Sequence, residues 1–358
     1  MAKQPSDPAE ISLDTTDVAA AITWQAEHSA RNGSPLTGRI VAAMLPLLRG
    51  ETAVGQRMAA WPGKVLEAAM PLRLAGGLHW LHLSGREPRL APLYGGDLAD
   101  QAAIDRLVAA VVHDHDALLL PWFDSPPQTN EAARSGALMA GLLWLSARHG
   151  PGFDLLEIGA SAGANTMMER YAYDLGGVRV GPVDSPVLIR PEWQGPPPPA
   201  AEVRIASIDG CDQAPIDLAD PAAALRLKSY IWAGMDERIA RFDAVVALAR
   251  RASPPVVRAD AADWVEERLR QPQASGLTRV LYHSIVWQYL PKEGRARITT
   301  AMERASATAT AERPLAWLQL ETNRETFRHE LRVQHWPGGG EPVLLGEAHA
   351  HGRWVRWT

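Results

Sequence analysis

Up to about residue 150 the apolar positions recur at helical spacing. Val18, Ile22 and Ala26 share one face behind Asp14, a candidate N-cap. Ile104, Leu107, Val108 and Val111 follow the i, i+3, i+4, i+7 rule, and Leu138, Leu142 and Leu145 follow it with one position missing. Glycine and proline punctuate the pattern at Gly33, Pro46, Gly63, Gly95-Gly96 and Pro126-Pro127. Residues 1–150 therefore read as a helical domain. From Pro151 the period changes. Short apolar runs at 155–158, 203–208, 255–258, 279–283 and 315–320 read as strands. Between them lie helical stretches: one face built from Ala164, Met167, Met168 and Tyr171, another from Ile239, Phe242 and Val246, then 262–270 and 294–305.

Strands alternating with helices predict an α/β fold: a doubly wound, mostly parallel sheet with helices on both faces. Segments 331–336, 343–347 and 354–357, with the turn Pro337-Gly-Gly-Gly340, add an antiparallel C-terminal hairpin. A second, Rossmann-like domain thus spans 151–358. It carries a Pro-rich insertion near 176–201, in which 195–200 is a stiff extended loop.

Composition narrows the function classes. Hydrophobic residues at 46% and charged residues at 22% mark a folded globular chain of 358 residues. A net charge of −5 argues against a protein built to grip nucleic-acid phosphates. Cys211 is the single cysteine, so neither an intramolecular disulfide nor a cysteine-based metal site is expected. Residues 1–10 lack the apolar core of a signal peptide, and the longest apolar stretch, 137–145, is too short to span a bilayer. The expectation is a cytoplasmic protein acting on a small molecule, without nucleic acid or membrane as partner. The oligomeric state is not legible. Thirteen tryptophans serve either as core or as apolar binding walls, and composition leaves both open.

The central segment is Asp154-Leu-Leu-Glu-Ile-Gly-Ala-Ser-Ala-Gly-Ala-Asn165. A strand delivers Glu157, a loop of small residues turns, and a helix is expected near Gly163. Small residues let backbone N–H groups approach a ligand, and a helix N-terminus favours a carboxylate there. Two other readings stand beside this one. Gly159-Ala-Ser-Ala-Gly163 also fits the Gly-x-Ser-x-Gly nucleophile elbow, which makes Ser161 a nucleophile with His349 or His351 as base. Alternatively, the glycines only permit close strand–helix packing.

The loop resembles motif I of class I S-adenosylmethionine-dependent methyltransferases, with Ser161 in place of the middle glycine. The resemblance implies that Glu157, Gly159, Ala160, Ser161, Gly163 and Asn165 hold the methionine part of S-adenosylmethionine. Ile208-Asp209-Gly-Cys-Asp-Gln-Ala-Pro215 is similar to the end of the second strand in that family, which implies Asp212 at the ribose hydroxyls, with Asp209 in reserve. Arg258-Ala-Asp-Ala-Ala262 resembles the family's next signature and implies Asp260 and Ala261 at the adenine, the competing reading of Asp260 being a helix N-cap. Tyr282-His-Ser-Ile-Val-Trp-Gln-Tyr-Leu-Pro291 resembles the fourth-strand motif. On that reading His283, with Tyr282 and Glu321, faces the methyl acceptor, and His283 is a candidate base near neutral pH.

Pro126-Pro-Gln-Thr-Asn-Glu131, the 157–165 loop, Gly210-Cys-Asp212, 282–290 and His351-Gly-Arg-Trp354 together resemble an uncharacterised bacterial family, domain of unknown function 2332. That family brings no activity with it. It draws attention to Gln128, Asn130, Glu131 and Arg134, read either as a helix cap or as a lid over cofactor or substrate. The histidine pairs at 79 and 82, 113 and 115, and 349 and 351 lack a third ligand, so no metal is expected. Three functions follow: a methyltransferase, a serine hydrolase using Ser161, or a non-catalytic binding protein of the same fold.

Overall fold

The computed structural model describes residues 15–358. Asp14 lies outside them, and it is Asp17 that caps the first helix, Val18–Arg31, by accepting from Ala20 N at 3.0 Å. Among the described residues no helix is long and apolar enough to cross a membrane. The described residues form two compact units, one of residues 15–129 and 221–240, the other of 130–220 and 241–358. The boundary thus falls at 129/130 rather than at 150, and twenty residues from the middle of the chain belong with the N-terminal helices. Helix Ser135–His149 is buried nearly all round and counts with the sheet-bearing unit. Periodicity cannot assign such a helix, because a helix that is apolar on every side carries no directional signal.

The first unit is helical. Ile22, Met44, Leu74, Val108 and Phe123 meet in its core. The returning helix Pro221–Ser229 is anchored there through His79, whose Nδ1 lies 3.1 Å from the carbonyls of Ser229 and Ile231.

The second unit contains twelve strands: β1 (Gly152–Ile158), β2 (Ala172–Leu175), β3 (Val178–Val180), β4 (Leu188–Ile189), β5 (Glu192–Gln194), β6 (Arg204–Asp212), β7 (Val256–Arg258), β8 (Thr278–Ser284), β9 (Leu315–Thr322), β10 (His329–Trp336), β11 (Val343–Ala348) and β12 (Trp354–Trp357). Nine form one sheet in the order β5-β12-β11-β10-β9-β8-β1-β6-β7. Strands β7, β6, β1, β8 and β9 are mutually parallel, while β10, β11 and β12 continue as an antiparallel meander. The expected mostly parallel sheet with an antiparallel C-terminal hairpin is present, with one extra edge strand, β5, drawn from the Pro-rich insertion and parallel to β12.

Both faces are covered, for a reason visible in the strand period. Leu156, Ile158, Leu281 and Trp317 pack with Trp264, Val265, Ile298 and Met302 of helices Ala261–Arg270 and Lys292–Ser306. Leu318, one residue on from Trp317 and so on the opposite face, lies against Gly141 of helix Ser135–His149. One expected element is absent. After β1 the chain makes only a 3₁₀ helix, Asn165–Arg170, then enters the small sheet β3-β2-β4. Met167, Met168 and Tyr171 are buried as expected, but the segment is too short for an α-helix with a developed N-terminal dipole.

Candidate functional site

Strand β1 pairs with β6 on one side and β8 on the other, so the chain's progress across the sheet reverses at β1. In open α/β sheets this is where ligands bind, outside the carboxyl ends of the strands. The carboxyl ends of β1, β6, β8 and β9 carry Glu157, Asp212, Tyr282, His283 and Glu321, and the segments that follow β1 and β7 carry Gly159 to Asn165 and Asp260.

The loop after β1 is tied to its neighbours by backbone and side chain. Ala160 N donates to Cys211 O at 3.0 Å, extending the β1–β6 ladder past Ile158. Ser161 N donates to Asp212 Oδ2 at 2.9 Å, and Ala214 N donates to Oδ1 of the same carboxylate at 2.8 Å. Asn130 clips the loop from the other direction. Its Nδ2 donates to Ala160 O at 3.1 Å and its Oδ1 accepts from Ala164 N at 2.8 Å. Asn130 is therefore a brace on the motif loop, a role neither the cap nor the lid reading contained.

Gly159 and Gly163 both have positive φ, 67° and 75°. A Cβ at Gly159 would come within 2.3 Å of Val286 Cγ2, and one at Gly163 within 2.3 Å of Pro254 Cβ. Close approach by other side chains thus accounts for both glycines, as in the packing reading. Val286 had no role in the sequence reading; no spacing rule marks a valine two residues beyond a strand.

Ser161 also sits at positive φ, 54°, an uncommon state for a non-glycine residue and one a strained elbow would show. Its Oγ is buried and has no hydrogen-bond partner, so the base that an elbow requires is not in place.

Glu157 is 1% exposed. It faces Tyr282 across the β1–β8 register, and Tyr282 Oη donates to Glu157 Oε2 at 3.2 Å. Burial pushes the Glu157 carboxyl up to about 8, against the opposing pull of Tyr282, Asn165 and Arg134. At neutral pH this carboxyl is mostly protonated, which corrects the expectation that Glu157 helps to hold the methionine part of the cofactor, whose amino group calls for an anion. Tyr282 is likewise fully buried, its hydroxyl engaged with Glu157 Oε2 and Asn165 O, which leaves it no exposed atom to offer a substrate. Asn165 is buried with Oδ1 unpartnered.

His283 requires a second correction. It is 0% exposed and both ring nitrogens are occupied. Nδ1 lies 2.6 Å from Glu321 Oε1, and Nε2 accepts from Trp317 Nε1 at 3.1 Å, while Trp287 stacks on the ring at 5.1 Å. Because Trp317 donates to Nε2, the proton sits on Nδ1 and points at Glu321. A ring so held has no free lone pair for a substrate proton. Glu321 differs: Oε1 also accepts from Val286 N at 3.0 Å and Trp287 N at 3.2 Å, whereas Oε2 makes no bond to the described residues. This network fixes the turn after β8, in which Ile285 holds φ 53°, a strained value for a β-branched residue.

The remaining candidates are structural in different degrees. Asp260 is the N-cap of helix Ala261–Arg270, its Oδ1 accepting from Ala262 N and Asp263 N, and Ala261 is the buried first residue of that helix. Asp209 pairs with Arg268 and is not part of the edge. Glu131 accepts from Ala133 N at 3.2 Å and pairs with Arg241. Arg134 is buried and donates to Ser284 O at 3.2 Å and Ala350 O at 2.8 Å, tying the end of β8 to the turn before β12. Gln128 belongs to the helical unit. The structure therefore brings together Asn130, Arg134, Glu157, the 159–165 loop, Asp212, Tyr282, His283 and Glu321.

A family model described as an uncharacterised protein conserved in bacteria, DUF2332, matches residues 19–357. The chain belongs to this family. No curated protein and no solved structure matches it. The DUF2332 match spans both compact units, so the helical unit is part of the family's domain and not a separate addition.

Proposed function

We propose that this DUF2332 chain is an S-adenosylmethionine-dependent methyltransferase acting on a small molecule, with the adenosyl group at the carboxyl edge of β1, β6 and β7. The observation that carries the reading is the state of Asp212. Each carboxylate oxygen accepts one backbone N–H, from Ser161 or Ala214, which leaves one further acceptor position on each oxygen. Two acceptor positions on a fixed carboxylate suit a vicinal diol, and the two amides have already removed the rotamer freedom that binding would otherwise cost. The parallel strands lie in the order third, second, first, fourth, fifth along the chain, the arrangement of nucleotide-binding sheets, and this supports the same placement.

The fit is at the ribose end. Asp212 would hold the diol, and Asp260, with Oδ1 engaged in capping, would offer Oδ2 to the adenine amino group. Glu157, being mostly protonated, is not assigned to the ammonium group. When bound, the cofactor supplies a methyl group on a sulfonium for transfer to a nucleophile. The chain's own work is to orient it, exclude water and, for a protonated acceptor, take the proton. Glu321 Oε2 is assigned that last role, with His283 as the positioning residue that fixes the carboxylate.

Calorimetric titration with S-adenosylmethionine and its demethylated product tests the reading. Binding of both, with turnover on a panel of small hydroxyl and amine acceptors, is expected. Absence of binding overturns the proposal, and binding without turnover makes the chain a non-catalytic member of the fold.

A further inference from the structure

A second place in the sheet-bearing unit has the makings of a ligand site, and it lies at the opposite, amino edge of the strands. A cavity of about 170 Å³ opens between the C-terminal ends of helices Ala261–Arg270 and Lys292–Ser306, lined by Leu269, Ala305, Ala309, Leu315, Arg279 and Arg313 among others. Leu315 begins β9 and Arg279 is the second residue of β8, so the cavity is a strand length away from Glu321.

Its chemistry is set by the two arginines. Arg279 is 7% exposed. Its Nε pairs with Asp154 at 2.7 Å, Nη1 donates to Arg268 O and Gln271 O, and Nη2 donates to Pro272 O at 3.1 Å. Arg268 O, one of the last carbonyls of helix Ala261–Arg270, and the two carbonyls just beyond its end, which would repel an anion, are thereby covered. One N–H of Arg279 Nη2 is left over. Arg313 is exposed and donates from Nε to Gln273 O at 3.0 Å. Among the described residues no carboxylate pairs with it, so with Arg279 balanced by Asp154 the cavity carries one uncompensated positive charge. The rest of its wall is mixed: Leu269, Ala305, Ala309 and Leu315 form an aliphatic part, and Gln271, Gln273 and Thr308 a polar one.

We propose that this cavity binds a short-chain monocarboxylate, with the carboxylate on Arg313 and the spare N–H of Arg279, and the hydrocarbon tail against Leu269, Ala305, Ala309 and Leu315. A guanidinium matches a carboxylate in geometry as well as charge. The volume is close to that of an apolar cavity of about 150 Å³ that takes up benzene, so it suits a ligand of about six non-hydrogen atoms, the size of butyrate. The inference is independent of the methyltransferase reading.

The test is ligand-observed NMR and calorimetry on the full chain with butyrate, 1-butanol and inorganic phosphate as probes. Butyrate is expected to bind in about the millimolar range, as suits so small a ligand. Arg313→Ala weakens it about tenfold or more, and Ala309→Leu, which fills the cavity, abolishes it. Butanol and phosphate bind markedly less well. Arg313 is exposed, so its removal leaves the fold intact, and an unchanged thermal melt checks this. No butyrate binding, butyrate binding indifferent to both substitutions, or phosphate binding as tight as butyrate would each overturn the proposal.

Discussion

The backbone N–H of Ser161 donates to Asp212 Oδ2 at 2.9 Å, so the turn after β1 is tied directly to the acid that ends β6. Removing the carboxylate does two things at once. Asp212→Ala leaves the amides of Ser161 and Ala214 without partners, at about 1–3 kcal/mol if water does not replace the acid. It also lowers affinity for an adenosyl ligand at least about tenfold. Denaturant melts and calorimetry on the same variant separate the two effects.

Asn130 bridges Ala160 O and Ala164 N, so it supports the loop without being offered to a ligand. Asn130→Ala is expected to cost about 1–3 kcal/mol of stability. Asn130→Asp keeps the acceptor but sets an anion against Ala160 O, and should cost no less. Faster amide exchange confined to residues 160–164 is the accompanying sign; protection unchanged in both variants would remove Asn130 from this role.

Glu157 gives a dependence on pH whose sign is fixed by burial. Its carboxyl is raised to about 8 in the folded chain from an ordinary value near 4.5. The folded state therefore holds a proton that the unfolded state releases. This group's contribution to stability is fully present below about pH 4.5, falls as pH rises and is lost above about 8, by up to about 1.4 kcal/mol per pH unit within that window. Glu157→Gln, which cannot ionise, should flatten that part of the stability profile and be relatively more stable at pH 8. An identical slope in both proteins would place the titrating group elsewhere.

Gly159 is filled by Val286 from the far side of the switch point. Gly159→Ala meets that valine and a φ of 67°, which alone costs about 1–2 kcal/mol. Val286→Ala combined with it should recover the steric part but not the backbone part. The coupling is read from a double-mutant cycle.

His283→Ala is expected to destabilise by about 2–5 kcal/mol, since it leaves a cavity and strands both Glu321 and Trp317. Glu321→Gln should be milder in stability and more severe in turnover, because the amide can still accept from Val286 N and Trp287 N but cannot take a proton. The reverse ordering would return the proton to the histidine.

Much of the fold is legible in the chain because buried parallel strands are short apolar runs with turn residues at their ends. The runs at 155–158, 203–208, 255–258, 279–283 and 315–320 correspond to β1, β6, β7, β8 and β9. The failures are of two physical kinds. The segment after β1 carries helical spacing in Ala164, Met167 and Met168, yet burial of Tyr171 and Tyr173, whose hydroxyls bond to Ala164 O and Met168 O, ends it after a 3₁₀ turn. Tertiary contacts overrode local period. At the site, the sequence marks which residues gather at the carboxyl edge but not which atoms are already spent. His283 looks like a base until Trp317 and Glu321 are seen to occupy its nitrogens, and Glu157 looks like an anion until its burial is known.

The central claim is that Asp212 receives the diol of an adenosyl ligand. Its most direct measurement is calorimetry with adenosine and 2′,3′-dideoxyadenosine on the wild-type protein and on Asp212→Ala. The account predicts that wild type prefers the diol by about tenfold or more and that the substitution erases the preference. Equal affinity of wild type for the two nucleosides, or a preference that survives loss of the carboxylate, would contradict it.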